Sequence, residues 1–163
     1  VTYFESNKHW NVFNLRRLEA SKTNSALKSR TETAKLLGIS RSRLARIELS
    51  ESSPYAEEIR RMADVYEAPE LMNHFCHSFC TIGQEIMPII ELLEFDRLMR
   101  KATAALHRAC NIQSELIELG AEDGVLKTDD QEKLMKIHHE LQGIMKVTIE
   151  LDLFIKKNMK GEM

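Results

Sequence analysis

The chain has 163 residues, 43% of them apolar and 29% charged, with a formal charge of −2. That balance excludes a disordered chain and suits a water-soluble protein with one ordinary core or two small ones. The longest unbroken apolar run, Ile86 to Ile90, is far short of the roughly 20 residues of a membrane span. Three cysteines, an odd number, argue against a disulfide framework, and no basic start with an apolar stretch marks a signal peptide. A reducing cytoplasm is the expected compartment.

Six Gly and three Pro, with no long β-branched alternation, predict an all-α fold. Residues 6–20 read as a first helix, capped by Ser6, with Trp10, Val12, Phe13, Leu15 and Leu18 on its apolar side. Ser21 to Lys28 is polar and reads as a loop. Ser29-Arg30-Thr31-Glu32 has the form of a capping box, so a short helix should run through Leu37. Gly38 stops it, because a left-handed turn costs glycine little. Ser40 caps the next helix, which reaches about Leu49. Ser53-Pro54 opens another, with Ile59, Met62, Ala63 and Tyr66 on its buried side. Ala68-Pro69 breaks the chain, and a short helix from Glu70 to Cys80 should end before Gly83.

Beyond Pro88 the periodicity changes. Phe95, Leu98, Ala102, Ala105, Ala109, Ile112, Leu116 and Leu119 form an uninterrupted heptad seam, and Gly120 ends it. Asp123-Gly124 makes a turn, and Thr128 with Gln131 offers a second capping box. Leu134, Ile137, Leu141, Ile144, Thr148, Leu151 and Ile155 then repeat the spacing. Two helices of roughly 30 residues, each about 45 Å long, should fold back as an antiparallel hairpin. Two such helices bury one seam only. Met99, Leu106 and Phe154 widen the apolar face, which a second copy would cover in a dimeric four-helix bundle. Ala102, Ala105 and Ala109 would permit close approach at its centre. The expected division is residues 1–67 as a DNA-binding domain, 68–87 as hinge and short helix, and 88–163 as a dimerisation hairpin.

The functional signal lies between Arg30 and Leu49. A helix-turn-helix needs a small residue where its helices cross, a glycine at the turn, and inward anchors on the second helix. Ala34, Gly38, Leu44 and Ile47 supply these, with Leu36, Leu37 and Ile39 behind. The outward face is then Arg41, Ser42, Arg43 and Arg46, and arginine can fork onto a guanine edge or a phosphate. Charge agrees. Residues 1–50 carry ten Lys and Arg against four Asp and Glu, a net of +6, while the remainder carries −8. A basic front half suits a polyanion.

The stretch from Thr33 to Glu48 resembles the central signature of the lambda-repressor-like, or XRE/Cro, helix-turn-helix family. Val12, Leu15 and Arg16 resemble the end of its first helix, and Pro54 with Met62-Ala63 its fourth. The likeness spans about residues 10–67. It implies double-stranded DNA as partner, with Arg41, Ser42 and Arg46 reading bases, Arg43 nearer the phosphates, and Ser40 at the helix start. Arg30 stands where the family places a phosphate-contacting glutamine. Glu48 matches a glutamate that pairs with an arginine of the first helix, here Arg16. Lys22 to Lys28 reads as an insertion relative to the family.

Other signals are weaker. His74, Cys76, His77 and Cys80 crowd together, but Cys76 and Cys80 lack the spacing of a closed zinc site, and packing is the favoured reading. Cys110, His107, His138 and His139 read as helix-surface residues. Ala121 to Asp130 resembles a calcium loop only in its glycine, because Leu119 and Ala121 would fall at ligand positions. No nucleophile–base pair, phosphate loop or catalytic carboxylate pair points to an enzyme, and no cofactor is expected. The leading reading is a cytoplasmic, homodimeric, repressor-like transcriptional regulator paired through residues 88–158. The alternative is a helical adaptor, antitoxin-like or metal- or redox-sensing protein that binds its partner through the hairpin or the Cys76/Cys80 region.

Overall fold

A computed structural model describes residues 11–121 and 130–159, and its regular elements are all helical. The described residues form two compact units, 11–91 with 156–159, and 92–121 with 130–155. The expected Ser6 cap, the Trp10 position, the Asp123-Gly124 turn and the Thr128 capping box lie outside the described residues.

The first unit is built on short, individually capped helices. Helix α1 (Val12–Ala20) starts later than expected, because Asn11 is extended and its side chain accepts from the Phe13 and Asn14 N–H groups. Its buried face also differs from expectation: Asn14, Arg16 and Arg17 are buried with Phe13, while Leu18 is 40% exposed. The expected loop contains a 3₁₀ turn over Ser25–Lys28, whose Leu27 is fully buried. Helix α2 (Arg30–Leu37) has Ser29 as its cap and ends at Gly38, which is left-handed at φ 65°. Ser40 caps α3 (Arg41–Glu48) by accepting from the Arg43 N–H. Helix α4 (Ala56–Val65) begins at Tyr55, whose N–H donates to the Glu58 carboxylate (2.7 Å).

The core joins Phe13, Leu27, Ala34, Leu37, Leu44, Ile47, Ile59, Met62, Tyr66 and Leu71. Ile39 packs at its edge, whereas Leu36, expected to back the anchors, is 52% exposed. Leu71 comes from α5 (Glu70–Ser78), so that helix belongs to the same core.

Helix α5 ends at Ser78, before Gly83, and Gly83 itself lies within a further short helix, α6 (Thr81–Ile86). A Cβ there would sit 2.1 Å from the Cys76 carbonyl oxygen. Its role is close approach at the α5–α6 corner.

In the second unit the first arm is α7 (Phe95–Asn111) followed by α8 (Gln113–Ala121). A single turn at Ile112 interrupts the expected continuous helix, where the Ile112 N–H reaches back to the Ala109 carbonyl (3.3 Å). Gly120 does not stop α8, which runs on to Ala121. The second arm is α9 (Asp130–Asn158). Leu98, Ala105 and Ile112 are buried on one arm and Ile137, Val147 and Leu153 on the other.

The arms run antiparallel, held by Lys101–Glu150 (2.6 Å), Arg108–Glu140 (2.9 Å), Lys136–Glu115 (2.6 Å) and Lys133–Glu118 (3.9 Å). The strip between the arms is therefore partly ionic, and the heptad reading of α9 needs correction. Leu134 (43%) and Leu141 (47%) are exposed, as is Thr148, while Glu150 is only 3% exposed. One partner helix covers a strip narrower than the apolar face that α9 carries.

Candidate nucleic-acid interface

Three contacts fix α3 from behind. Leu44 and Ile47 enter the core at 0% and 1% exposure, and Ala34 of α2 is 3% exposed. The left-handed Gly38 sends the chain from α2 into α3, and Arg61 of α4 donates to the Leu37 carbonyl (3.1 Å) beside it. The Asn11 side chain donates to the Ile47 carbonyl, which ties the start of α1 to the end of α3.

Glu48 is the ionic centre of this unit. Its side chain is wholly buried and takes Arg17 Nε at 2.5 Å, Arg30 Nε at 2.5 Å and Asn14 Nδ2 at 2.9 Å. Arg17 also donates to the Leu27 carbonyl (2.8 Å), which anchors the 3₁₀ turn over Ser25–Lys28. The resemblance pairs Glu48 with Arg16; the structure gives that place to Arg17. One residue turns the side chain about 100° around a helix, and Arg16 faces Glu19 (2.5 Å) and Glu70 (2.9 Å) instead. Burial pushes the Tyr66 phenol well above its ordinary range, and the Glu48 charge adds to the effect.

The outward face of α3 carries Arg41, Ser42 and Arg46, all exposed. Neither Arg41 nor Arg46 has a side-chain acceptor among the described residues. Ser40 and Ser42 hydroxyls stand 3.1 Å apart at the helix start. Arg30, at the start of α2 with a side chain 30% exposed, holds Glu48 through its Nε.

Arg43 is engaged elsewhere. Its Nε and Nη2 form a side-on pair with Glu58 (2.8 and 2.7 Å), Nη2 also donates to the Ser53 carbonyl (3.0 Å), and Nη1 donates to Ser52 Oγ. The guanidinium carbon lies 4.7 Å from the Tyr55 ring centroid. Burial pushes the Glu58 carboxyl up, but the Arg43 hydrogen bond and the Tyr55 N–H outweigh it and hold it below the ordinary carboxylate value. The Arg43 hydrogen bond to Glu58 in turn raises the guanidinium.

Sequence reasoning missed Arg17, Asn14 and Glu58. The first two follow from the phase of α1, set by the cap at Asn11. Glu58 had one local signal: it stands three residues after Tyr55, where a carboxylate can cap a helix start.

The Cys76–Cys80 region is a packing corner. His74 sits edge-on to Phe13 (5.8 Å) and Phe79 (5.9 Å). Burial pushes it down to about 4, with the His77 charge contributing. Cys80 Sγ accepts from the Gly83 N–H (3.4 Å). Among the described residues no group of three or more His, Cys, Asp or Glu is arranged to hold a metal ion, and no helix is long and apolar enough to cross a membrane.

Residues 15–75 match the family model described as a helix-turn-helix domain. That match covers α2, α3 and α4, begins within α1 after Asn11, Phe13 and Asn14, and reaches into α5. It supports a helix-turn-helix family in general and does not single out the lambda-repressor-like branch. No curated protein and no solved structure matches the chain.

Proposed function

We propose that this protein is a sequence-specific, repressor-like regulator of transcription that reads double-stranded DNA with α3. The observation that carries the reading is the sorting of arginines around that helix. Arg17, Arg30 and Arg43 are tied to buried or half-buried carboxylates, while Arg41 and Arg46 stand exposed on its outer side without acceptors among the described residues. A buried cation on this unit is structural. An exposed one on a rigidly anchored helix is available for guanine O6 and N7 or for phosphate. Arg41, Ser42 and Arg46 are the base readers, Ser40 meets the flanking backbone, and Arg30, its Nε held by Glu48 and its side chain 30% exposed, meets it through its remaining N–H groups.

The working form is a homodimer through residues 88–158 in a cytoplasmic setting. One recognition helix reads few base pairs, and paired half-sites multiply discrimination. The hairpin supports pairing. Leu106 (61%), Ile117 (63%), Leu134 (43%), Met135 (66%), Leu141 (47%) and Met145 (41%) leave apolar surface uncovered on both arms, more than an isolated two-helix unit keeps without cost.

The test is titration of the protein with random-sequence duplex at several salt concentrations. DNA reading predicts affinity that falls steeply with salt and is lost in the Arg41→Ala/Arg46→Ala variant. Salt-independent binding, or none, would favour the partner-binding alternative. Sedimentation tests the dimer, and a clean monomer at micromolar concentration with no pairing on DNA would remove it.

A further inference from the structure

We infer that Arg43 is a positioning residue, which sets the angle of α3 against α4 through Glu58 and shapes DNA discrimination without touching DNA. This rests on α3 being the reading helix. The sequence places Arg43 on the outer face between two readers, and a phosphate contact is the natural expectation there. The geometry points elsewhere.

A guanidinium has five N–H bonds, and four of those on Arg43 already have acceptors: two Glu58 oxygens, the Ser53 carbonyl and Ser52 Oγ. Its side chain is 19% exposed and that of Glu58 is 10% exposed. One N–H is left, so a fork to guanine or to phosphate would have to displace the Ser52 and Ser53 acceptors on one edge of the guanidinium or the Glu58 carboxylate on the other. The Tyr55 ring lies along the guanidinium as well.

The partners also share a location. Ser52 and Ser53 lie in the link between α3 and α4, and Tyr55 and Glu58 form the first turn of α4. Glu58 is itself fixed by the Tyr55 N–H (2.7 Å). Leu44 and Ile47 hold the inner side of α3 against the core, and Arg43 clamps the side that faces the link. Freed of that clamp, α3 keeps its apolar anchors and the Glu48 contacts at its C-terminal end but loses the restraint at its N-terminal half, which decides where Arg41 and Arg46 point.

The experiment uses the full chain with Arg43→Gln, Glu58→Gln, the double variant, and the exchanged pair Arg43→Glu/Glu58→Arg. Duplexes selected by the wild type from a random library, and unselected random duplex, are the probes. The expected result is that both single variants lose roughly tenfold in the ratio of selected to random affinity, with the salt slope of binding unchanged. The double variant should melt no lower than either single one, and the exchanged pair should regain part of the discrimination.

A phosphate contact predicts the opposite pattern. Arg43→Gln would weaken both duplexes and flatten the salt slope by about one unit, and Glu58→Gln, by freeing Arg43, would tighten binding; that result overturns the inference. Additive melting losses in the double variant would overturn the clamp itself. Non-additive losses in a protein that selects no duplex would instead leave the clamp standing and refute DNA reading.

Discussion

Replacing Glu48 by Gln keeps the shape of the side chain and removes its charge. Arg17, with a side chain 4% exposed, then loses the carboxylate that it meets at 2.5 and 3.2 Å, and Arg30 loses one at 2.5 Å. An amide has one acceptor oxygen and cannot serve Arg17, Arg30 and Asn14 together. Breaking one side of a buried ion pair costs about 3–5 kcal/mol, and a domain of this size has roughly 5–15 kcal/mol in all. Glu48→Gln should therefore remove a large share of the stability of the first unit. Amide hydrogen exchange of the α1–α4 core, measured on the full chain, reads that loss directly. Arg17→Met should be non-additive with Glu48→Gln, because the two changes break the same contact. Arg16→Met should add to it, because Arg16 faces Glu19 and Glu70. A loss below about 1 kcal/mol, or coupling to Arg16 instead of Arg17, would refute the reasoning.

Three further outcomes follow from named contacts. His74 is held down to about 4 from an ordinary 6.5, so the unfolded chain binds a proton before the folded one does. Stability should fall from about pH 6.5 to about pH 4, at up to about 1.4 kcal/mol per unit, and His74→Gln should remove that part of the slope in pH-dependent denaturation. Gly83→Ala forces a Cβ to 2.1 Å from the Cys76 carbonyl oxygen, and a melting curve should show a loss of about 3 kcal/mol. Glu150→Gln leaves Lys101 without the charge it meets at 2.6 Å, and should destabilise the hairpin by about 3 kcal/mol. The paired Lys101→Met/Glu150→Leu variant should recover most of that loss, as read by helical circular dichroism on heating.

The helix-turn-helix was legible because its requirements are local. Ser29, Gly38 and Ser40 announce their helix ends within four residues. Ala34, Leu44 and Ile47 sit at spacings that only one helix crossing satisfies, and Ile59, Met62, Ala63 and Tyr66 are buried as the period of α4 predicts. What was not legible depends on contacts distant in sequence. The choice of Arg17 over Arg16 rests on the phase of α1, which Asn11 sets. Arg43 looks like a DNA contact until Glu58, on another helix, is seen beside it. In the hairpin, heptad counting treats every a and d position as buried, yet Glu140 and Glu150 meet Arg108 and Lys101 between the arms while Leu134 and Leu141 face out. Apolar spacing cannot distinguish a residue buried within one hairpin from one that awaits another surface. In sequence Gly83 marks only the limit of the preceding helix, and the Cys76 carbonyl across the corner shows why the residue must be small.

The most direct measurement is selection of bound duplexes from a random-sequence library by the wild-type protein and by the Arg41→Ala/Arg46→Ala variant. A homodimer reading DNA with α3 predicts an enriched site of two related half-sites about one helical turn apart, and loss of that enrichment in the variant. Wild-type protein that enriches no sequence, or a variant that enriches the same one, would contradict it.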